Sequence, residues 1–221
     1  MGTIEEFKNQ LKLRPKTYQE AKLHSKNIDL LLGFQCEAIE KALSQDKDSF
    51  LNSHENQYWY GLDSQSLQTP YSEIVDMIEC VKPKSGDSWV DLGAGYGRMG
   101  LVLSVLAPET KFLGFEFVAN RVAEGVRIYK KWNLNLAKLS ETNLADRQFE
   151  LPEADVYFVY DFGSRQDFDR LLEKMGAMAR QKEITLIARG RGVRNWIMMD
   201  YPWLHSSVAP EHYSTWSLFR S

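Results

Sequence analysis

The fold is decided by residues Trp89–Arg98, which read WVDLGAGYGR. Apolar residues lead into Asp91, and three glycines then follow at alternate positions, Gly93, Gly95 and Gly97. Because glycine has no Cβ, a backbone of this kind can turn tightly and approach a ligand closely. The N–H groups at the start of the next helix can face such a ligand. The stretch therefore predicts a strand, a glycine loop and a helix that together bind a small molecule.

Strands and helices alternate on both sides of this loop. Thr69 followed by Pro70 predicts the start of a helix, since a capping hydroxyl precedes a residue without an N–H group. Regular alternation of this kind is typical of a parallel sheet with helices on both faces, an α/β fold. We predict helices at 71–81, 98–107, 119–132 and 166–180, strands at 88–92, 111–117, 137–140, 155–160 and 184–188, and a final hairpin strand within 213–220.

The chain before the alternating part has a helical pattern. Apolar residues recur at intervals of three and four, which indicates one face of a helix: Ile28, Leu31, Leu32, Cys36, Ile39 and Leu43. Pro15 interrupts an earlier apolar pattern, so we expect a short first helix and a longer second one. These observations predict a helical extension over residues 1–66 that covers a domain formed by residues 67–221. The polar segment between them contains Tyr58, Trp59 and Tyr60.

Composition limits the classes of function. The chain has 221 residues, 43% of them hydrophobic and 26% charged, which fits one globular domain with a short appendage. Its 27 basic and 30 acidic residues give a net charge of -3, so a general affinity for nucleic acid is disfavoured. Cys36 and Cys80 lack the spacing of a disulfide scaffold or a zinc site, and we expect no metal. We find neither a signal peptide nor about 18 consecutive apolar residues, so the expected location is the cytoplasm, without a membrane partner.

Two nucleotide-binding interpretations compete for the glycine loop. A phosphate-binding loop needs Gly-Lys-Ser/Thr after its glycines, and Arg98-Met99-Gly100 lacks both the lysine and the hydroxyl. The loop does match the G-x-G-x-x-G pattern of dinucleotide sites from Gly95 to Gly100, so an NAD(P)-dependent oxidoreductase stays open as an alternative. Asp91 would repel a pyrophosphate at this position, whereas it would attract a ligand that carries an ammonium group. S-adenosylmethionine is such a ligand.

The segment Asp91–Gly97 resembles the first motif, acid-x-Gly-x-Gly-x-Gly, of the class I, seven-strand S-adenosylmethionine-dependent methyltransferases. The likeness extends over about residues 69–219. It implies a three-layer, Rossmann-like methyltransferase sandwich with a mostly parallel seven-stranded sheet and an antiparallel C-terminal hairpin strand, to which the N-terminal helices are added. It also implies an enzyme whose cofactor is S-adenosyl-L-methionine and whose product is S-adenosyl-L-homocysteine.

The resemblance assigns parts of the cofactor to individual residues. Glu116 corresponds to the acid that ends the second strand of the family, where a carboxylate accepts hydrogen bonds from both ribose hydroxyls. Phe117 would flank the adenine, Asn143 would contact its amino group, and Leu144 would pack against its ring. The methionine end is assigned to Asp91, Gly93, Ala94, Gly95 and Gly97.

The reacting methyl group is assigned to the end of the fourth strand, Tyr160-Asp161-Phe162-Gly163, which makes Asp161 and Tyr160 the candidate catalytic residues. This segment departs from the Asn/Asp-Pro-Pro-Tyr/Phe motif of the enzymes that methylate amino groups of nucleic acids. Gln68-Thr69-Pro70-Tyr71 is similar to the Pro-Ser/Thr-Pro turn of the seven-strand protein lysine methyltransferases, which implies cofactor contacts for Thr69 and Tyr71. The expected acceptor is thus a protein lysine. A small-molecule acceptor and a scaffold that binds cofactor without turnover are the alternatives.

Overall fold

The structure is a computed structural model that describes residues 2–45, 63–160 and 163–221. Two sets of residues singled out in the sequence lie outside the described residues. They are Asp161 and Phe162 after the fourth strand, and the aromatic residues Tyr58, Trp59 and Tyr60 of the polar segment.

Three helices precede the alternating part: α1 is Ile4–Leu11, α2 is Tyr18–Leu32 and α3 is Cys36–Gln45. Capping boxes start the first two, with the Thr3 and Thr17 hydroxyls each accepting a hydrogen bond from a backbone N–H in the first turn. The sequence predicted one long second helix, and here it was wrong. Gly33 ends α2 in the left-handed conformation with φ 85°, so the periodic apolar residues are divided between two helices.

The alternating part forms a sheet with helices on both sides. Its helices are α4 (Tyr71–Val81), α5 (Arg98–Leu106), α6 (Ala119–Lys131), α7 (Arg165–Ala179) and α8 (Arg191–Asp200). Its strands are β1 (Ser88–Leu92), β2 (Lys111–Glu116), β3 (Ala137–Glu141), β4 (Val156–Tyr160), β5 (Thr185–Arg189), β6 (Glu211–His212) and β7 (Trp216–Arg220). The predicted strands β1 to β5 and helices α4 to α7 are present to within two residues at each end. Helix α8 was not predicted.

The seven strands lie in the order β3-β2-β1-β4-β5-β7-β6. Strands β1 to β5 are parallel, whereas β7 pairs antiparallel with both β5 and β6. This confirms the predicted mostly parallel seven-stranded sheet with an antiparallel C-terminal hairpin. The chain order reverses beside β1, and ligands of open α/β sheets bind at the carboxyl ends of the strands near such a point.

Apolar side chains pack on both faces of the sheet. Along β1, Val90 and Leu92 belong to the core on one face, and Trp89 belongs to the core on the other. The Trp89 face also contains apolar side chains of the N-terminal helices, among them Phe7, Leu11, Ile28 and Leu32, and the side chain of Phe34 between α2 and α3. Side chains alternate along a strand, so Asp91 points to the same face as Trp89. The N-terminal helices therefore share a core with the face of the sheet to which Asp91 belongs.

Within the described ranges, no helix combines the length and the apolar character that crossing a membrane requires.

Candidate functional site

The glycine loop runs from the end of β1 to the start of α5 in a conformation that its glycines allow. Gly93, Gly95 and Gly97 have φ values of 95°, 54° and 80°, in the left-handed region. The N–H groups of Gly93 and Ala94 both donate to the Phe115 carbonyl oxygen on β2, at 2.9 and 2.8 Å. The N–H groups of Gly95 and Gly97 donate to Glu116 Oε2 and the Ala94 carbonyl oxygen. These four N–H groups of the loop are therefore bonded inside the protein. The sequence predicted contact with a ligand for the N–H groups at the start of the next helix, and this stays a prediction.

Two glycines of the loop have different surroundings. A Cβ on Gly97 would lie 2.4 Å from the Tyr129 hydroxyl oxygen and 2.8 Å from Leu139 Cδ1, so this position has no room for a side chain. A Cβ on Gly95 would meet only Gln68 Cγ, at 4.0 Å. Gly97 is thus required by packing, whereas the open side of Gly95 faces a cleft.

This cleft lies at the carboxyl end of β1, between the glycine loop and the segment that precedes α4. About 360 Å³ of space between protein atoms belongs to it, and this figure includes open solvent. The lining residues are Leu67, Gln68, Thr69, Ile74, Asp91, Gly93, Ala94, Gly95, Arg98, Met99, Phe158 and Tyr160. Six predicted site residues are therefore brought together here: Thr69, Asp91, Gly93, Ala94, Gly95 and Tyr160.

Two side chains of the cleft have buried acceptor atoms without a hydrogen-bond partner among the described residues. These atoms are Asp91 Oδ1 and Gln68 Oε1, and the two side chains are 3% and 6% exposed. Buried polar atoms are nearly always paired, so two orphaned acceptors in one cleft require an explanation. A hydrogen-bond donor of a ligand in the cleft, such as an ammonium group, is one such explanation. The sequence motif Gln68-Thr69-Pro70-Tyr71 implied roles for Thr69 and Tyr71 but none for Gln68, because only the folded chain places its side chain beside the loop.

The surroundings of Asp91 change the pKa of its carboxyl group. Burial raises the pKa of its carboxyl group well above the ordinary range, and the negative charge of Glu116 raises it further. A neutral carboxyl group is thus favoured at Asp91 in the absence of a nearby cation. A bound cation would favour the ionised form and lower this pKa.

Glu116 lies beside the cleft, at the end of β2. Its Oε2 accepts the Gly95 N–H and its Oε1 accepts the Val118 N–H, both at 2.9 Å. A carboxylate has about four acceptor positions, so two contacts leave capacity for a ligand. Arg121 Nη1 lies 3.7 Å from Glu116 Oε1. The neighbouring Phe117 is half-buried.

Four other predicted cofactor contacts do not line the cleft. Gly97 packs against Tyr129, as described above. Tyr71 is fully buried, and its hydroxyl donates to Asp29 Oδ1 at 3.0 Å. Asn143 Oδ1 accepts the Ala145 N–H at 2.9 Å in a local turn, and Leu144 packs in the core on the opposite face of the sheet from Trp89. Tyr71 therefore contacts the N-terminal helices and does not line the cleft.

A buried ionic network joins that packing to the loop. Arg98, the residue after Gly97, is 3% exposed, and its Nε and Nη2 both donate to the Asp29 carboxylate of α2. The same guanidinium donates through Nη1 to the Thr69 carbonyl oxygen at 3.2 Å and through Nη2 to Gln65 Oε1 at 2.7 Å. Arg98 thus fixes α2 and the cleft wall at Thr69 relative to the glycine loop. Sequence reasoning noted Arg98 in the motif but did not predict its partner.

Tyr160 ends β4 at the edge of the cleft. The Arg189 guanidinium of β5 stacks on its ring, with the Cζ atom 4.3 Å from the ring centroid. Arg189 in turn donates to Glu73 Oε2 of α4 at 2.8 Å. The Tyr160 ring is thus held in place at the end of β4. Among the described residues, no group of three or more His, Cys, Asp and Glu side chains could hold a metal ion.

Comparisons with known proteins give structural neighbours only. No protein-family model and no curated protein matches this chain. One similar structure is an RNA methyltransferase from Salinibacter ruber in complex with S-adenosyl-L-homocysteine, with 16% identity, coverage of 69% of this chain and 91% of that chain, and a TM-score of 0.49. Another is the C-terminal domain of precorrin-6Y C5,15-methyltransferase from Rhodobacter capsulatus, with 13% identity, 69% and 88% coverage, and a TM-score of 0.48.

A third similar structure is coclaurine N-methyltransferase bound to N-methylheliamine and S-adenosylhomocysteine. It has 16% identity, coverage of 85% of this chain and 59% of that chain, and a TM-score of 0.45. Similarities of this size do not assign an activity, which has to be argued from the site itself.

Proposed function

We propose that this protein is an S-adenosyl-L-methionine-dependent methyltransferase. The observation that carries the proposal is the unpaired, buried Oδ1 of Asp91, in a cleft at the carboxyl end of the central strand β1. Together with Gln68 Oε1 it forms a pair of acceptors suited to the ammonium group of the cofactor. The open side of Gly95 gives the ligand room to approach the loop.

For the remaining parts of the cofactor, we propose the contacts that the sequence resemblance implies. Glu116 would accept hydrogen bonds from the ribose hydroxyls with the acceptor capacity that Gly95 and Val118 leave free. Phe117, Asn143 and Leu144 remain the proposed contacts of the adenine. Thr69, Gly93 and Ala94 would face the methionine end, since they line the cleft with Asp91.

When bound, the cofactor supplies a methyl group that its sulfonium has already activated. The chain therefore has to orient the acceptor, exclude water and manage one proton. Alignment of this kind lowers a barrier by about 7–11 kcal/mol. Ile74, Phe158 and Tyr160 give one wall of the cleft an apolar and aromatic character that suits the exclusion of water.

For the acceptor we propose a protein lysine. A free lysine has a pKa of about 10.4 and must lose its proton before it reacts, which an apolar surrounding such as the Tyr160 wall favours. Asp161 is the group proposed to orient the amine. In an Asp161→Asn variant we expect normal affinity for S-adenosylhomocysteine and reduced turnover, and unchanged turnover would remove this role.

The acceptor class can be measured directly. Labelled S-adenosylmethionine and a cell lysate should yield label on lysine side chains of a protein. Label in a small molecule would replace the lysine proposal, and no label with intact cofactor binding would indicate a scaffold. A cytoplasmic location belongs to the same proposal and is checked by cell fractionation.

One calorimetric comparison tests the cofactor. S-adenosylhomocysteine should bind, and NAD should not. The reason is that the loop N–H groups that would hold a pyrophosphate already donate to Phe115, Glu116 and Ala94. Binding of NAD alone would favour the oxidoreductase alternative.

A further inference from the structure

Helix α3 places one carboxylate against the glycine loop. Glu40 is 7% exposed although it belongs to a short helix of the N-terminal part. Its Oε1 accepts the Tyr96 hydroxyl at 2.8 Å, and Tyr96 stands between Gly95 and Gly97. The same Oε1 accepts Arg121 Nε at 2.8 Å, and Oε2 accepts Arg121 Nη2 at 3.0 Å. Glu40 thus binds the loop and the first turn of α6 at once.

Arg121 lies between two carboxylates and interacts with them unequally. It makes the two-point contact with Glu40, which is the strong geometry for an arginine and a carboxylate. Its Nη1 lies at 3.7 Å from Glu116 Oε1, beyond hydrogen-bond distance. The guanidinium of Arg121 is therefore bound mainly to Glu40 and interacts only weakly with Glu116.

This arrangement affects what Glu116 can bind. All three side chains are nearly buried, with exposed side-chain fractions of 9% for Arg121 and Glu116 and 8% for Glu40, so water does little to screen them. If Glu40 lost its charge, Arg121 would turn its donors toward Glu116. The acceptor positions of Glu116 would then be occupied by the guanidinium.

We propose that Glu40 is a positioning residue for the cofactor, because it holds Arg121 away from Glu116 and keeps that carboxylate free for the ribose hydroxyls. This inference rests on the proposed function. It gives α3 a specific role in cofactor binding, in addition to its packing.

A double-mutant cycle tests the coupling. The variants are Glu40→Gln, Glu116→Gln and the pair, and the readout is the affinity for S-adenosylhomocysteine in calorimetry. Glutamine keeps the size of Glu40 and an acceptor for Tyr96 but removes the charge. We expect Glu40→Gln alone to weaken binding by about ten- to a hundredfold, equivalent to the loss of one charge-assisted hydrogen bond. In the Glu116→Gln background it should have almost no further effect.

The matched control is Glu37→Gln on the same helix. Glu37 pairs with Lys26 at 2.6 Å on the surface, where its side chain is 62% exposed, so its loss should leave the affinity unchanged. Thermal unfolding of every variant checks the fold. Arg121→Lys gives up the two-point contact with Glu40, and it provides a second cycle with Glu116→Gln if Glu40→Gln does not fold.

The outcomes separate the two proposals. An equal loss of affinity in both backgrounds would overturn the positioning role, since a purely structural contribution of Glu40 does not depend on Glu116. No binding of S-adenosylhomocysteine by the unaltered protein would overturn the proposed function and this inference with it. A loss that disappears in the Glu116→Gln background supports both.

Discussion

Asp91 has a carboxyl group that no described residue pairs. An unpaired charge inside a protein is unfavourable, and the raised pKa of Asp91 is the direct result of its burial next to Glu116. Groups of this kind occur where a protein sacrifices stability for a function. Binding of a cation would remove this penalty, and we therefore expect the cleft to bind a ligand with a cationic group.

An Asp91→Asn variant should bind the cofactor product more weakly and at the same time be more stable than the original protein. The substitution replaces a carboxylate with a neutral amide whose oxygen still accepts a hydrogen bond, so the ammonium group loses its charge partner and the affinity for S-adenosylhomocysteine should fall by about ten- to a hundredfold. Without ligand the variant should unfold at a higher temperature near neutral pH, because an amide is neutral without taking up a proton, whereas the buried carboxyl group must be protonated or carry an unfavourable charge. A variant that binds normally, or that is less stable than the original protein near pH 7, would contradict the role of Asp91.

The pH dependence follows from the same raised pKa. Between the ordinary value of about 3.9 and the raised value, the folded protein holds a proton that the unfolded chain has released, so stability falls as the pH rises through this window. A cationic ligand reverses the preference, because it favours the ionised carboxylate. Binding of S-adenosylhomocysteine should therefore release a proton and strengthen with rising pH.

Calorimetry in buffers of different ionisation enthalpy measures this proton release. Asp91→Asn is the control, and it should show no release at any residual affinity. Proton uptake by the original protein on binding would contradict the assignment.

The sequence identified Asp91 and the glycines because each is part of a local pattern. It missed Gln68 and Glu40, since their importance depends on contacts between segments distant in the chain. Gln68 is notable only because its Oε1 is buried beside the loop without a partner. Glu40 falls in an amphipathic helix, where an acid normally faces solvent.

At the scale of single elements, two glycines of the loop are needed for different reasons: Gly97 for packing and Gly95 for the approach of the ligand. Gly97→Ala places a methyl group 2.4 Å from the Tyr129 hydroxyl oxygen, so it should destabilise the fold by more than the about 1–2 kcal/mol of left-handed strain alone. Gly95→Ala meets no atom closer than 4.0 Å and should lose only the strain, yet its methyl group stands toward the cleft and should weaken cofactor binding at least tenfold.

Denaturant unfolding and calorimetry on the two variants check this contrast. Equal stability losses, or unchanged binding by a folded Gly95→Ala variant, would show that the cleft is not where the ligand lies.

The contact between α2 and α5 should be essential for stability. Asp29→Asn leaves the Arg98 guanidinium buried without its carboxylate, which typically costs about 3–5 kcal/mol. The control is Asp76→Asn, because Asp76 lies 3.6 Å from Arg14 on the surface, where ion pairs contribute at most about 1 kcal/mol. Urea unfolding compares the two, and a similar small effect for both would contradict the role assigned to the Asp29–Arg98 pair.

Element boundaries were predictable where strong local signals mark them. Strand β1 and helices α4 and α5 are bounded by Pro70, the glycine loop and Pro108, which restrict the backbone in ways that any fold must respect. Helix α8 was missed because Gly190 precedes it and Gly192 lies in its first turn, two residues that are typical of loops. Val193 and Ile197 of this helix are buried in the core on one face of the sheet, a contact that the local sequence does not show.

At the scale of the whole molecule, the sequence predicted N-terminal helices that cover the following domain. In the structure these helices contribute to the same core as the sheet. Ile28 and Leu32 of α2 are fully buried in the same cluster as Trp89 of β1 and Ile128 of α6. Arg98 and Arg121 add buried ionic contacts from α5 and α6 to α2 and α3. The N-terminal helices and one face of the sheet therefore bury apolar side chains in the same core, and the predicted division at residue 66 remains a prediction. Periodicity alone could not reveal this shared core, since it indicates that a helix face is buried but not what covers it.

The most direct measurement is a crystal structure of the protein with S-adenosyl-L-homocysteine. The site described here predicts that the ligand lies in the cleft at the end of β1, with its ammonium group at hydrogen-bond distance, about 2.7–3.2 Å, from Asp91 Oδ1 and Gln68 Oε1. The ribose hydroxyls should contact Glu116, with Arg121 still bound to Glu40. A ligand bound elsewhere, or one whose ammonium group does not contact Asp91, would contradict the central claim.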